Sequence, residues 1–391
     1  MEKKTGQKSD RRKESDLTEA ETLQLERMEG ETCRSLRGLW EEVFSEDSKK
    51  FTDYYFQEKA VRNRGYALQS GEGTAAMLYL SPYPVMLRSG NRFECREINY
   101  IVGVATKEEY RHRGFMDRIL KTALRDMYGK RQPFTFLMPA DPAIYRPYQF
   151  GYIYVKEEYD RNKTAVKQPA GAEWFPRLAE FVQDFLEKHY DVFIRRDEAY
   201  YQVMEKELQA QDGGICTVTE EGRLRGCFLY TQENGKEEIQ EAVFDRENGG
   251  SSPVVPAGTE KPMIMARIVE AGTMLSLLRA KSGEAVFCIR ISDPILDGNT
   301  GVWECILGEE QAEVRRTEAE LKAASAGTDT AKSRKAANIS MEALISWIFG
   351  CQEAEEGFWF ESYVNMAERE EILCQLHNVK RLEKVFLNEI V

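Results

Sequence analysis

The chain has 391 residues, with 66 acidic against 54 basic side chains and a formal net charge of −12. An acidic balance of that size excludes the basic footprint that a duplex or RNA partner demands, and it suits a cationic one. No apolar run reaches the roughly 18–20 residues that span a bilayer, and the eight cysteines contain no Cys-x-x-Cys pair, so neither a membrane span nor a disulfide or zinc framework is expected.

At 45.0 kDa the chain exceeds one comfortable hydrophobic core, and two or three domains are the expected solution. Residues 1–17 are polar and charged and read as a disordered lead with no hydrophobic signal segment behind them. Residues 18–40 read as a helix, with Leu23, Leu25, Met28, Cys33, Leu36 and Leu39 supplying a ragged apolar face. An aromatic-rich helical stretch follows, carrying Val43, Phe44, Phe51, Tyr54, Tyr55 and Phe56. Its rings serve either as core against a sheet or as the wall of a binding pocket, and spacing alone does not separate the two.

From Tyr66 the pattern changes to strands, at 73–80, 83–88 and 93–104, with turns expected at Ser81-Pro82 and at Ser89-Gly90-Asn91. A helix near 109–128 presents Ile119, Leu120, Ala123, Leu124 and Met127 on one face, and a buried strand follows at 134–138. The junction before that helix is the most informative part of the chain. The strand ending Val102, Gly103, Val104 runs into Arg111, His112, Arg113, Gly114, Phe115 and Met116, a basic turn with one glycine. Backbone N–H groups at a helix start lack intrahelical acceptors and the helix dipole adds positive charge there, so a pyrophosphate can take the missing partners' place. Gly114 removes a Cβ from the approach, and the guanidinium groups of Arg111 and Arg113 match phosphate oxygens. The alternative is an ordinary solvated helix start. It is not the dinucleotide fingerprint, which needs further glycines and an acidic residue closing a βαβ unit.

A second unit begins after Lys156, with a helix over 174–189 and paired strands at 214–218 and 224–230 around Glu221-Gly222. That pair repeats the pattern of residues 71–80 and suggests a degenerate copy of the first fold. The copy has no Arg-x-x-Gly turn followed by a helix between 230 and 262 and is not expected to hold phosphate. A third unit starts near Pro262, with strands at 263–269 and 285–291, a short helix over 271–278, a turn at Ser292-Asp293-Pro294, a strand from Gly301 and a helix over 339–349. The end of the chain, from Val385 to Val391, is apolar and β-prone, unlike a frayed terminus. Histidine chemistry finds little support, because His112, His189 and His377 lie outside helical or hairpin spacing of one another, and the cysteines read as reduced core thiols.

Taken together, the strand, the Arg111-x-x-Gly114-x-Met116 turn and the helix resemble the GCN5-related N-acetyltransferase (GNAT) superfamily. Met116 departs from that superfamily's usual small residue. The run from Ile144-Tyr145 to Gly151-Tyr152 resembles, one residue longer, the signature of its Eis-like (enhanced intracellular survival) branch. The resemblance implies an α+β chain with α/β-type mixed sheets: tandem acyl-CoA N-acyltransferase (GNAT) folds followed by a sterol-carrier-protein-like (SCP2-like) α+β domain. The expected division is a catalytic domain over 18–157 binding acetyl-CoA, a degenerate central domain over 158–261 and the SCP2-like domain over 262–391. The turn 111–116 then grips the pyrophosphate of acetyl-CoA, and the backbone of Val102, Gly103 and Val104 serves as the platform for the pantetheine arm and thioester carbonyl. Tyr145 corresponds to the general acid, with Tyr148 as its nearest competitor, and the terminal carboxylate of Val391 to a general base reaching the active site. Against the last assignment, residues 384–390 could complete a sheet edge and leave Glu389 as a surface charge.

The implied activity is acetyl transfer from acetyl-CoA to a primary amine, on a polyamine, an aminoglycoside or a lysine side chain, by direct attack in a ternary complex without a metal. A cytoplasmic homo-oligomer, with the hexamer as the family's form, completes that expectation, and neither nucleic acid nor membrane is an expected partner. Two alternatives remain open on sequence: a non-catalytic CoA- or lipid-binding scaffold, for which Met116 is the best support, and an enzyme using a longer acyl-CoA.

Overall fold

The computed structural model describes residues 23–161, 168–233, 235–245, 254–317 and 335–389. The described residues fall into two compact units, one made of those up to Pro82 with Tyr100–Asp126, the other of Tyr83–Asn99 and those from Met127 onward.

In the first unit, β1 (Gln24–Glu29), β2 (Arg64–Ser70) and the first part of β3 (Gly73–Ser89) form an antiparallel meander, with Met28 opposite Gly65 and Tyr66 opposite Leu78. The helix expected over 18–40 is therefore corrected, and its residues 18–22 lie outside the described residues. Pairing with β2 overrides the leucine pattern over 24–29, and Gly30 at φ +59°, a conformation L side chains rarely adopt, ends the strand. A short 3₁₀ segment, Gly30–Leu36, leads into α1 (Arg37–Val43), then α2 (Lys49–Tyr54) and a wide π turn, Tyr55–Lys59.

The turn expected at Ser81-Pro82 is also absent, since β3 runs unbroken from Gly73 to Ser89. Along one edge β2 pairs with it only as far as Leu80, and β8 (Val192–Ile194) only from Val85, so Pro82 sits where that edge carries no ladder and its missing N–H costs nothing there. β4 (Arg92–Thr106) follows, and α3 (Phe115–Gly129) starts at Phe115 rather than near 109. Phe115, Ile119, Leu120, Ala123, Leu124 and Met127 are all buried, as the 3.6-residue spacing requires.

In the second unit, β5 (Phe134–Leu137) is followed by α4 (Pro142–Tyr145) and β6 (Gly151–Arg161). β5 and β6 do not pair with each other. Instead β12 (Val254–Ile268) lies between them, antiparallel to both, with Met265 opposite Leu137 on one side and Tyr152 on the other. The boundary expected at residue 261 therefore falls inside a strand. α5 (Phe175–His189) and α6 (Glu198–Ala210) cover a sheet ordered β11-β10-β9-β7, made of β7 (Gln168–Pro169), β9 (Gly214–Glu220), β10 (Arg223–Glu233) and β11 (Lys236–Phe244). Phe175, Leu178, Val182, Leu186, Tyr201, Cys227 and Leu229 form the core between them. The β9–β10 hairpin turns where the sequence predicts, at Glu221 (φ +50°) and Gly222 (φ +79°), as a tight two-residue connection requires.

Beyond β12 come α7 (Ala271–Leu275), the short β13 (Arg279–Ala280) and a sheet in which β14 (Glu284–Ser292) pairs with β15 (Gly301–Gly308), which in turn pairs with β16 (Ala312–Thr317). β17 (Ala337–Ser340) joins β14 in parallel, so Ile339 and Ser340, expected in a helix, end a strand, and α8 (Met341–Ile348) starts one residue later behind the Ser340 cap. The tail returns through β18 (Val379–Lys380), paired with β13, to β19 (Val385–Phe386), which runs parallel to β8. Of the eight cysteines, Cys33, Cys216, Cys227 and Cys305 are core residues, whereas Cys95, Cys351 and Cys374 are exposed. Among the described residues no helix is long and apolar enough to cross a membrane.

Candidate active site

Within the first unit, β4 carries a left-handed residue in its middle. Gly103 has φ +61°, and a Cβ there would stand 2.5 Å from Trp40 Cζ3 and 3.2 Å from Tyr79 Cδ2. A left-handed residue inside a strand interrupts its ladder and turns backbone N–H and C=O groups away from it. The aromatic wall is itself fixed. Trp40 stacks on Tyr55 at 4.3 Å and donates from Nε1 to Asp47 Oδ2 at 2.8 Å, while the Tyr79 hydroxyl donates to the Cys33 carbonyl at 2.6 Å. Burial raises the pKa of Asp47, partly opposed by the Trp40 hydrogen bond. Tyr55 and Phe56 are buried, so this part of the aromatic stretch packs as core around Gly103.

The end of β4 is held by Lys107 N–H donating to the Ala75 carbonyl at 2.9 Å. The chain then makes a 3₁₀ turn, Glu108–Tyr110, passes through left-handed His112 (φ +61°) and Gly114 (φ +79°), and enters α3. The first bond of that helix runs from Arg118 N–H to the Gly114 carbonyl at 3.0 Å, which leaves the amides of Phe115, Met116 and Asp117 ahead of the ladder. Side chains cap α2, α4, α6, α7 and α8, namely Ser48, Asp141, Asp197, Glu270 and Ser340, each accepting from a first-turn amide. Gly114 has no side chain to offer, and a Cβ built on it meets nothing within 4 Å. Arg111 and His112 are exposed, Arg113 lies over the Tyr110 ring at 5.5 Å, and Phe115 anchors the first turn in the core, leaving Met116 half-buried. The arrangement is an open helix start with cationic side chains around it, which fits an anionic phosphate group.

Within the second unit, Tyr145 ends α4 on the segment that crosses from β5 to β6. Asp141 caps the segment's entry, its Oδ1 accepting from Ala143 N–H at 2.9 Å. The exit turns at left-handed Gln149 (φ +63°), whose N–H donates to the Arg146 carbonyl at 2.8 Å. Tyr145 is 8% exposed and packs edge-on against Phe150 at 5.8 Å. Burial pushes its hydroxyl up to about 12, so it is a proton donor throughout the neutral range. Gly151, at the start of β6, lies directly against α8, where a Cβ would stand 2.4 Å from Ser346 Oγ.

The tail of the same unit is also packed. Asn388 Nδ2 donates to the Gln240 carbonyl at 2.6 Å, and Glu389, 2% exposed, lies 3.4 Å from Arg196 Nη1. Arg196 Nη2 donates to Glu241 at 2.8 Å. Burial works against the Arg196 charge, but Glu241 and Glu389 outweigh it and its pKa is raised. Glu389 is thus no surface charge, although β19 does join a sheet as the edge reading held. Beside it is a pocket of about 140 Å³ lined by Tyr154, Lys156, Tyr190, Glu241, Phe386 and Asn388, among others. Val391 lies outside the described residues.

With this geometry in place, comparison with known proteins locates the resemblance on the chain. Residues 24–153 match the acetyltransferase (GNAT) domain family model. No curated protein sequence matches the chain. Among solved structures, a probable N-acyltransferase of unknown function from Enterococcus faecalis superposes with a TM-score of 0.69 at 16% identity, covering 95% of this chain and all of that one. A GCN5-related N-acetyltransferase from Anabaena variabilis gives 0.69 at 13% identity over 94% of this chain and all of that one. Eis1 from Mycobacterium abscessus gives 0.63 at 12% identity, again over 94% of this chain and all of its own. At such identities the likeness establishes a shared mixed α/β fold over 94–95% of the chain. The match spans β1 to the start of β6 and so contains Gly103, the 111–116 turn and Tyr145.

Two groups of residues escape sequence reasoning. Trp40 and Tyr79 shape the Gly103 site, and only the fold shows that they meet there. Arg267 and Asp293 are the others: Arg267 Nη1 donates to the Tyr148 carbonyl at 2.7 Å, and Nη2 donates to both Asp293 oxygens at 2.7 and 2.8 Å. A lone arginine in the apolar run from Met263 to Val269 is the signal that was there to find.

Proposed function

We propose that this protein is an N-acetyltransferase that transfers acetyl from acetyl-CoA to a primary amine in a ternary complex. The observation that carries the reading is the glycine-led, cationic start of α3 following left-handed Gly103 in β4, inside the span that matches the GNAT family model. Arg111, His112, Arg113, Gly114, Phe115 and Met116 hold the pyrophosphate, and the backbone of Val102, Gly103 and Val104 receives the pantetheine arm and polarises the thioester carbonyl. The amine nitrogen attacks that carbonyl carbon, the C–S bond breaks, and the departing thiolate takes the proton of the Tyr145 hydroxyl. The proton lost by the amine restores the phenol. Its desolvated, high-pKa hydroxyl supports Tyr145 in that role.

The terminal carboxylate of Val391 is the proposed base that deprotonates the incoming ammonium. The burial of Glu389 and the pairing of Val385 and Phe386 with β8 support an anchored rather than frayed tail. The net charge of −12 suits a cationic acceptor such as a polyamine, an aminoglycoside or a lysine side chain. In this reading residues 18–157 bind acetyl-CoA, 158–261 are a degenerate copy and 262–391 the SCP2-like part of a cytoplasmic Eis-like homo-oligomer.

The test is CoA release by untagged protein with acetyl-CoA and a panel of polyamines, aminoglycosides and lysine-bearing peptides, run beside a deletion of Val391. Turnover with at least one amine, strongly reduced by the deletion, is expected. No turnover across the panel, with no change in Tm on adding acetyl-CoA, would leave a non-catalytic role.

A further inference from the structure

We propose that Arg267 is a positioning residue that holds the Tyr145 turn in its working geometry through the Tyr148 carbonyl; this rests on the reading of Tyr145 as the general acid.

Arg267 lies near the end of β12, the strand that separates β5 from β6, and the Tyr145 segment is the connection that passes between those two strands. Its neighbours along the strand, Met265, Ala266 and Ile268, are buried, and the guanidinium itself is 0% exposed. A buried cation is costly, and an apolar pair of similar volume in place of a buried ion pair is commonly as stable or more so, so stability alone is a poor reason to place one here. What the arginine adds is a connection. One planar group donates in two directions, to the Asp293 carboxylate and to the backbone of the Tyr145 turn.

The anchor at the other end is held by further hydrogen bonds. Asp293 Oδ1 also accepts from Ile295 N–H at 2.9 Å and Leu296 N–H at 3.1 Å, and Oδ2 accepts from Asn299 Nδ2 at 2.8 Å. Asn299 in turn donates to the Val269 carbonyl at 2.9 Å, two residues beyond Arg267, and accepts from Ala271 N–H at 2.9 Å. The loop 293–299 and the end of β12 thereby form a closed hydrogen-bonded frame, and Arg267 carries its rigidity to Tyr148. Tyr148 is three residues from Tyr145 within one turn, closed by Gln149 N–H to the Arg146 carbonyl at 2.8 Å and Phe150 N–H to the Tyr145 carbonyl at 3.4 Å. Displacing the Tyr148 carbonyl moves the peptide units that aim the Tyr145 ring.

The experiment compares wild type, Arg267→Lys, Tyr145→Phe and the double variant in CoA release with the best acceptor. Lysine keeps the charge but is a compact ammonium without the planar fork, so it does not reproduce the two-oxygen grip on Asp293 together with the bond to Tyr148. The expected result is a fall in kcat of about tenfold or more for Arg267→Lys with KM for acetyl-CoA within about twofold, and a fall below about twofold in the Tyr145→Phe background, as coupled residues show. Equal losses in both backgrounds overturn the proposal alone. Wild-type turnover by Tyr145→Phe overturns the acid reading and the proposal with it. Should Arg267→Lys fail to fold, Asp293→Asn with hydrogen exchange over 139–150 decides: faster exchange supports the clasp, and unchanged exchange contradicts it.

Discussion

Two turns, 107–115 and 138–150, are built in opposite ways. The first leads into its helix with a glycine where other helices have a capping side chain, and its Arg111 is exposed, with Nε donating to the Thr106 carbonyl at 3.3 Å. The second is closed at every point: capped by Asp141, folded back at Gln149, packed on Phe150 and clasped by Arg267. An open helix start serves a ligand that arrives with its own charge and leaves again. In the proposed function a closed turn suits a proton donor, which must meet the reacting atoms at one distance, since misplacement of about 1 Å can cost a hundredfold in rate.

That contrast can be broken by substitution, and the largest effect should come from the closed turn. Tyr145→Phe is expected to lower kcat by roughly 10²- to 10⁴-fold, the range for loss of a positioned acid, in a CoA-release assay. Asp293→Ala leaves the buried Arg267 uncompensated and should destabilise the second unit by about 3–5 kcal/mol in urea unfolding. Gly103→Ala forces a Cβ against Trp40 at a left-handed position and should cost about 1–3 kcal/mol, read by the same method. Arg111→Ala, at an exposed position beside the open turn, should raise KM for acetyl-CoA about tenfold and leave kcat and stability near wild type.

The smallest effect is in pH dependence. The Tyr145 hydroxyl is raised from 10 to about 12 by burial, so its proton is fully bound in the folded chain below pH 10. The unfolded chain releases that proton first, so stability is unaffected below about 10 and declines as pH rises toward about 12. The urea midpoint of wild type minus that of Tyr145→Phe should be constant from pH 7 to about 9.5 and shrink above it. A difference that shrinks already between pH 7 and 9 would contradict the burial of this hydroxyl.

The same contrast explains what could be read in advance. The 111–116 turn is local: its glycine, its arginines and the apolar spacing of α3 lie within twenty residues, and the strand, turn and helix follow one another as expected. The β9–β10 hairpin was equally legible from Glu221-Gly222 and the alternation around it. What could not be read locally was pairing at a distance. The strand at 24–29 forms because β2 lies opposite it, and β12 enters between β5 and β6 from more than ninety residues downstream. The clasp on Tyr148 depends on that insertion, and no periodicity near Tyr145 encodes it. The burial of Glu389 likewise follows from Arg196, almost two hundred residues away.

In the proposed function the two turns carry separable tasks, donor binding in one and proton donation in the other. The most direct test of that division is kcat and KM for acetyl-CoA, measured side by side for Arg111→Ala and Tyr145→Phe with one saturating amine. KM alone is expected to rise in the first and kcat alone to fall in the second. A fall in kcat with unchanged KM for Arg111→Ala, or wild-type kcat for Tyr145→Phe, would contradict it.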